Sequence, residues 1–148
     1  MKILSKVASA MILSTGLLMA SSYSVDNAHS NVGFTVKHMM VTNVHGKFTS
    51  YDAKVEFDDA TKTFKKLVAN IDTNSIDTGI EKRDNHLRSD DFFAVEKFPK
   101  MIFEMTSYKA DGDDGKMTGN LTIRGITKPV VLEVEDIAIL GDKVGFSL

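Results

Sequence analysis

Residues 117–134 read MTGNLTIRGITKPVVLEV, and their pattern decides the class of fold. Apolar side chains take alternate positions in both halves of this stretch, around a centre that contains Gly125 and Pro129. Alternation with a period of two is typical of a β-strand with one buried face, while glycine and proline favour turns. The stretch therefore predicts two antiparallel strands joined by a turn across residues 125–129.

The same alternation recurs along the chain from residue 32 onward. Its parity changes between Phe48 and Ala53, which predicts a β-bulge across residues 49–52. The alternation lapses only between Thr78 and Phe98, where one or two short helical turns are predicted. One-sided alternation favours an antiparallel sheet, since parallel sheets are usually buried on both faces. The pattern predicts an all-β fold and leaves a barrel and a sandwich both open. The alternating positions are Val32, Phe34 and Val36; Ala53, Val55 and Phe57; Leu67, Ala69 and Ile71; Met101, Phe103 and Met105; Met117, Gly119, Leu121 and Ile123; Val130, Leu132 and Val134; and Val144, Phe146 and Leu148.

The amino terminus has the three parts of a signal peptide. Lys2 and Lys6 precede an apolar run at residues 7–19, and small residues follow at positions 20–22. This order predicts export, to the periplasm or beyond the cell, after cleavage near Ala20 or Ser22. The run is shorter than the ~20 residues that span a bilayer, so no transmembrane segment is expected. We expect residues 1–22 to be a signal peptide and residues 23–148 to form one domain.

Composition argues against several classes of function. The formal net charge is −2 and no basic run occurs, so nucleic acid is not an expected partner. The chain has no cysteine, which excludes disulfides and a lipidated cysteine. Its four histidines lack the short spacing of a metal site, so neither a metal nor another cofactor is expected.

The helical segment carries the residues that would suit a hydrolase. Residues 83–86 and 89–91 place acids, a histidine and a serine close together. A nucleophile must nevertheless reach its base, and neither a Gly-x-Ser-x-Gly elbow nor a Ser-x-x-Lys pattern is present. Four-residue spacing instead predicts that Asp84 pairs with Arg88, and Ser89 is predicted to cap a second helical turn. The chain is therefore predicted not to be an enzyme.

Several separated motifs resemble one known family. Residues 83–93, RDNHLRSDDFF, followed by KFP at residues 97–99, closely resemble the signature of the YceI-like polyisoprenoid-binding family. The opening YSVD at residues 23–26, SIDT at residues 75–78 and LTIRGITKPV at residues 121–130 are similar to further motifs of that family. The resemblance runs from Tyr23 to the last residue, with the motifs in the same order.

The resemblance implies a lipocalin-like antiparallel barrel of about eight strands with a helix near its opening. It also implies a periplasmic carrier for a polyisoprenoid or another long-chain lipid, for example a quinone or a fatty amide, and it brings no catalytic residues. Two alternatives stay open: an envelope hydrolase that cleaves a lipid ester or amide with His86 and either Asp84 or Asp90, and a stress-response structural module without a ligand. The expected apolar lining residues are Phe34, Val36, Phe103, Leu121, Ile123 and Leu132, and the expected polar residues at the mouth are His38, Arg83 and His86.

Members of the resembled family continue beyond the position of Leu148 with strands that complete the barrel. We therefore expect an incomplete barrel in this chain, with sheet edges that expose unpaired backbone groups. A homodimer or an exchange of strands would close such a gap.

Overall fold

The computed structural model describes residues 20–148. Residues 1–19, which hold most of the predicted signal peptide, lie outside the described residues. The described chain is mostly antiparallel strand with one short α-helix, as predicted, and it curls into a nearly closed, lipocalin-like barrel. No helix in this part of the chain is long and apolar enough to cross a membrane. The elements are β1 (Ser21–Ser24), β2 (Val32–His38), β3 (Thr42–Phe48), β4 (Tyr51–Asp58), β5 (Thr63–Asp72), a 3-10 turn (Thr73–Ser75), β6 (Ile76–Asp77), α1 (Glu81–Arg88), β7 (Lys100–Asp111), β8 (Asp114–Ile123), β9 (Ile126–Leu140) and β10 (Lys143–Ser147).

The strands form two sheets. The larger has the order β1-β4-β5-β7-β8-β9-β10, and the smaller has the order β2-β3-β6. The chain passes from the smaller to the larger at Thr49 and Ser50. There the amide of Thr49 donates to the carbonyl of Ser75 at 3.2 Å, and the amide of Asp72 donates to the carbonyl of Ser50 at 2.9 Å. The bulge predicted at residues 49–52 is therefore a corner between sheets, and the change of sheet explains the change of parity.

The hairpin of β8 and β9 has a shorter turn than predicted. Only Arg124 and Gly125 connect the strands, and both have positive φ, at 50° and 71°. This is the backbone of a type I′ turn, which suits the twist of a hairpin and favours glycine. Pro129 consequently lies inside β9, opposite Asn120. β10 pairs only with residues 135–140 of β9. At Pro129, β9 therefore has only β8 as a neighbour among the described residues, and such an edge position tolerates a residue without an N–H.

The inside of the larger sheet holds the main apolar core. Phe57, Phe64 and Met117 are completely or almost completely buried there, and the rings of Phe57 and Phe64 meet edge to face at 4.9 Å. A second cluster of Phe48, Ile71 and Ile76 lies where the two sheets and the helical segment meet. The alternation predicted from the sequence thus corresponds to one apolar inner face.

β9 contains a parity change that the sequence pattern did not predict. Val134 and Ile137 are both buried although they are three residues apart. Asp136 between them has a φ of 57°, and its amide donates to the Asp114 carboxylate at 3.1 Å. This local bulge returns the second half of β9 to the inner face.

Candidate functional site

The inner face of the larger sheet is the candidate site for an apolar ligand. Its centre around Phe57 and Met117 is buried, whereas a group of apolar side chains around that centre is only partly covered by protein. Two predicted lining residues, Leu121 and Leu132, belong to this group. Half-covered apolar surface of this kind can be removed from water by a bound chain. The half-buried residues packed against the centre are Tyr23, Ala69, Met105, Tyr108, Leu121, Val130, Leu132, Ile139, Val144 and Phe146.

The predicted lining aromatics Phe103 and Phe34 lie in different clusters. Phe103 is buried in the main core, and its ring covers Gly119, where an added Cβ would lie 2.4 Å from Cζ. Phe34 packs on Phe48 in the second cluster, with ring centroids 5.7 Å apart, and it covers Gly46 in the same way. Each ring therefore fills the space that a side chain on the neighbouring strand would take.

The remaining two predicted lining residues are more open. Val36 lies in the outer half of β2 and is 51% exposed, and Ile123 ends β8 at 36% exposed. The structure thus brings Phe103, Leu121 and Leu132 together at the main core, whereas Val36 and Ile123 belong to neither apolar cluster. That these residues line a ligand site stays a prediction.

Arg83 is engaged with the loop that precedes α1. Its Nε donates to the Thr78 hydroxyl at 2.7 Å and its Nη2 donates to the Thr78 carbonyl at 2.8 Å. Asp84, which is 4% exposed, accepts from the amide and the hydroxyl of the same threonine at 2.9 and 2.5 Å. A buried carboxylate needs such donors, because burial without them is costly. Thr78, Arg83 and Asp84 therefore anchor the start of the helix.

The predicted ion pair between Asp84 and Arg88 is wrong. Asp84 turns toward Thr78, and the Arg88 guanidinium donates to the carbonyls of Asn74 and Ile76 at 2.9 and 3.0 Å. Four-residue spacing brings two helical side chains near each other, but carbonyl groups outside the helix compete for the arginine. Arg88 thus fixes the end of α1 to the segment that joins β5 and β6.

Ser89 caps the end of α1 and does not begin a second helix. Its hydroxyl donates to the carbonyl of His86 at 2.6 Å and accepts from the amide of Asp91 at 3.3 Å. The residues that follow form turns. The predicted N-cap of a second helical turn is therefore wrong, and the hydroxyl contacts backbone groups at the end of α1.

His86 and His38, the other two predicted mouth residues, have different surroundings. The Nε2 atom of His86 lies 2.9 Å from the Asp91 carboxylate, and both side chains are more than half exposed. His38 lies at the tip of the β2–β3 hairpin, opposite Thr42. A strand rises about 3.3 Å per residue, so the tip is roughly 20 Å along β3 from Phe48, which contacts the helical segment through Phe93. The contacts of His38 are separate from those of Arg83 and His86.

Two long-range contacts beside the helical segment have no local signature in the sequence. Arg124, in the β8–β9 turn, donates to the carbonyl of Phe92 at 2.8 Å. Lys100 of β7 contacts Asp72 of β5 at 2.7 Å. The Lys100 ammonium and then the Ser50 hydroxyl hold the pKa of Asp72 below its usual range, and the Asp72 carboxylate raises the pKa of Lys100. The first contact joins the helical segment to the β8–β9 turn, and the second joins β5 to β7.

Two open concavities lie elsewhere on residues 20–148, and neither includes a predicted lining residue. One is lined mainly by charged residues of β7, β8 and β9, among them Lys109, Lys116 and Glu133. The other lies beside β4 and includes Asn27 and Asp52. Each has charged side chains in its wall.

A one-sided antiparallel sheet curled around apolar side chains, with a helix anchored beside it, defines the class of lipocalin-like β-proteins. The family model described as the YceI-like domain matches residues 23–147. The chain belongs to the YceI-like domain family.

Named relatives and solved structures agree with this assignment. The chain is 39% identical over 127 residues to Protein YceI of Salmonella newport, an alignment that covers 84% of this chain and 66% of that protein. It therefore spans just under two thirds of the length of that relative. A crystal structure of a Campylobacter jejuni YceI protein is 46% identical with a TM-score of 0.68, covering 84% of this chain and 76% of that one. Burkholderia cenocepacia BcnA is 29% identical with a TM-score of 0.75, covering 82% and 76%.

Proposed function

We propose that the protein is an exported carrier that holds a polyisoprenoid or another long-chain lipid against the inner face of its curled sheet. The observation that carries the proposal is the group of half-covered apolar side chains around the buried centre. The sequence motifs that resemble the polyisoprenoid-binding family support the class of ligand. Burial of the chain would contribute about 0.8 kcal/mol per methylene, so a long chain binds well without a charged partner.

Neighbouring residues of β9 offer a direct test of this proposal. Leu132 is half-buried on the inner face, and Val131 beside it is exposed on the other face. We expect Leu132→Lys to weaken binding of a fluorescent polyprenol about tenfold or more, because the ammonium would need to be buried beside the chain. Val131→Lys adds the same charge and should leave binding unchanged.

Circular dichroism shows whether each variant is folded. If Leu132→Lys does not fold, Leu132→Phe becomes the deciding variant, since it stays apolar and fills the space beside the ligand. Full polyprenol binding by a folded Leu132→Lys or Leu132→Phe variant contradicts the proposal.

A ligand-free structural module is the second candidate, and one packing feature favours it. The ring of Phe64 meets those of Phe57, Tyr108 and Phe146 at centroid distances of 4.9, 5.0 and 4.9 Å. These aromatic contacts fill part of the interior with protein. A purified protein that neither carries nor binds any lipid, while folded, would favour this candidate.

The hydrolase alternative requires His86 to act with an acid and a nucleophile. His86 pairs with the exposed Asp91, and the nearby Ser89 hydroxyl donates to a backbone carbonyl. We therefore propose that the protein is not an enzyme. Turnover of lipid esters or amides that is lost in His86→Ala, with lipid retention intact, would reverse this conclusion.

We propose a periplasmic location on the basis of the amino-terminal segment, residues 1–22. Cell fractionation together with the mass of the mature amino terminus tests it. Cleavage near Ala20 or Ser22 and recovery with periplasmic proteins are expected. Recovery of the uncleaved chain from the cytoplasm would contradict export.

Homodimer formation is a further proposal. Among the described residues, β2 and β10 each have one hydrogen-bonding edge without a strand partner. Light scattering during size-exclusion chromatography should give twice the mass of one chain, and a monomeric mass across micromolar concentrations would contradict it.

A further inference from the structure

The tip of the β2–β3 hairpin presents apolar side chains to solvent. Met39, Met40 and Val41 are 80%, 91% and 86% exposed. These residues connect His38 to Thr42, and the amide of Val41 donates to the carbonyl of His38 at 3.3 Å. Three consecutive exposed apolar residues at a loop tip gain nothing from the packing of this chain.

The backbone of the tip makes its composition more unusual. Met39 and Met40 have φ values of 51° and 62°, in the left-handed region that glycine and asparagine favour. Positive φ at both central positions is the arrangement of a type I′ turn, for which Asn-Gly is the preferred sequence. Two methionines therefore occupy positions where polar turn residues would be less strained. Neither the residue preference of the turn nor packing in the core explains the two methionines at these positions.

The hairpin also differs in charge from the rest of the chain. Residues 27–51 contain no aspartate or glutamate, whereas the whole chain has 20 acidic against 18 basic residues. Lys37 and Lys47 lie on the hairpin together with His38 and His45. Lys37 lies two residues before Met39, whereas Lys47 lies about 16 Å along β3 from Thr42 and opposite Asp77. The apolar tip therefore has one nearby lysine and lies in an acid-free stretch of an otherwise mildly acidic protein.

We propose that this hairpin tip docks on the surface of a lipid bilayer that carries anionic headgroups. Met39, Met40 and Val41 enter the boundary between headgroups and acyl chains, and Lys37 contacts the anionic headgroups. Apolar side chains combined with nearby lysines are the two elements of interfacial binding. The inference goes beyond the proposed carrier function, because it concerns the outer contact of the protein with a membrane and not its interior ligand.

Leu140, the last residue of β9, provides a comparison. It is 80% exposed, the same as Met39, but Asp142 follows it closely and Lys143 pairs opposite it, so an acid and a base both lie beside it. Exposure of a single apolar side chain is therefore equal at the two positions, but Leu140 lacks the run of three exposed apolar residues found at residues 39–41.

The chain has no cysteine, so one introduced cysteine carries a label at one chosen position. Met39→Cys and Leu140→Cys are prepared separately in the full chain and labelled with an environment-sensitive fluorophore. The labels are then compared on vesicles of phosphatidylcholine alone and of phosphatidylcholine with one third phosphatidylglycerol. We expect a blue shift, and quenching by a lipid-borne quencher, at Met39 on the anionic vesicles only. We expect neither at Leu140.

Charge variants in the Met39→Cys background test the role of the lysine at the tip. Lys37→Glu should weaken the vesicle response about fivefold or more, since a lysine near an anionic surface contributes about 1 kcal/mol to binding. Lys65→Glu changes the net charge equally at an exposed position of β5 and should leave the response intact.

Three results would overturn the proposal: equal responses at Met39 and Leu140, equal loss in the two charge variants, or a blue shift at Met39 without vesicles that grows with protein concentration. The last would assign the tip to contact with a second copy of this chain. Because each label reports on one position and no interior ligand is needed, failure here leaves the carrier proposal to its own test.

Discussion

Replacement of Asp84 by alanine should destabilise the protein strongly although the residue lies in a short helix. The buried carboxylate accepts from the amide and the hydroxyl of Thr78, and Arg83 donates to that hydroxyl and to the Thr78 carbonyl. Hydrogen bonds to charged groups contribute about 1.5–3 kcal/mol each, so loss of two should cost about 3 kcal/mol or more. For a chain of this size, that corresponds to a fall in Tm of roughly 10 °C.

Urea unfolding followed by circular dichroism measures this cost. Asp91→Ala is the matched control, since it removes a carboxylate from the same segment that is exposed and pairs with His86. The control should change the free energy of unfolding by less than about 0.5 kcal/mol. A cost for Asp84→Ala as small as that of the control would refute the role given to this contact.

A double-mutant cycle separates the hydrogen bond from other effects of the alanine. Thr78→Val removes the hydroxyl and keeps the shape and the amide. We expect Thr78→Val and Asp84→Ala to be coupled by about 1–2 kcal/mol, because each variant removes the same bond. Additive effects would mean that the 2.5 Å contact contributes little to stability.

Three further predictions concern the sheet. Asp72→Asn should cost about 0.2–1 kcal/mol at pH 7, because the pair with Lys100 is partly exposed. Since the folded pKa of Asp72 is lowered from 3.8, this stabilisation is present above pH 3.8 and should be lost, in urea titrations, as the pH falls through the folded pKa. Gly119→Ala should cost about 1–3 kcal/mol in the same assay, since its methyl group would displace the ring of Phe103; an unchanged midpoint would contradict that packing. Met117→Ala should cost about 2–5 kcal/mol at a fully buried position; a cost below 1 kcal/mol would mean that the core collapses around the gap.

The strands were predictable because their apolar residues alternate locally. Val55 and Phe57 in β4, and Leu121 in β8, lie on the inner face as the period of two requires. The change of sheet at Thr49 was visible as a change of parity, but a sequence pattern does not distinguish a bulge from a corner. The bulge at Asp136 was missed, because only the backbone φ of that residue and its contact with Asp114 reveal it.

Less of the candidate site was predictable. Phe103 and Leu132 meet at the core because β7, β8 and β9 are neighbours in the sheet, and this order follows from hairpins that the turns predicted. The partners of Arg83 and Arg88 were not predictable, since backbone carbonyls of other segments accept from them and carry no sequence signature. Residue type and expected position group His38 with the helix, whereas its place at a hairpin tip depends on the direction of β2.

Native mass spectrometry of the protein purified from cells, before and after extraction with organic solvent, tests the carrier proposal most directly. The account predicts a mass above that of the polypeptide, lost on extraction, with one long-chain apolar molecule per chain recovered in the solvent. A folded protein whose mass equals that of the polypeptide, with no apolar molecule in the extract, would contradict it.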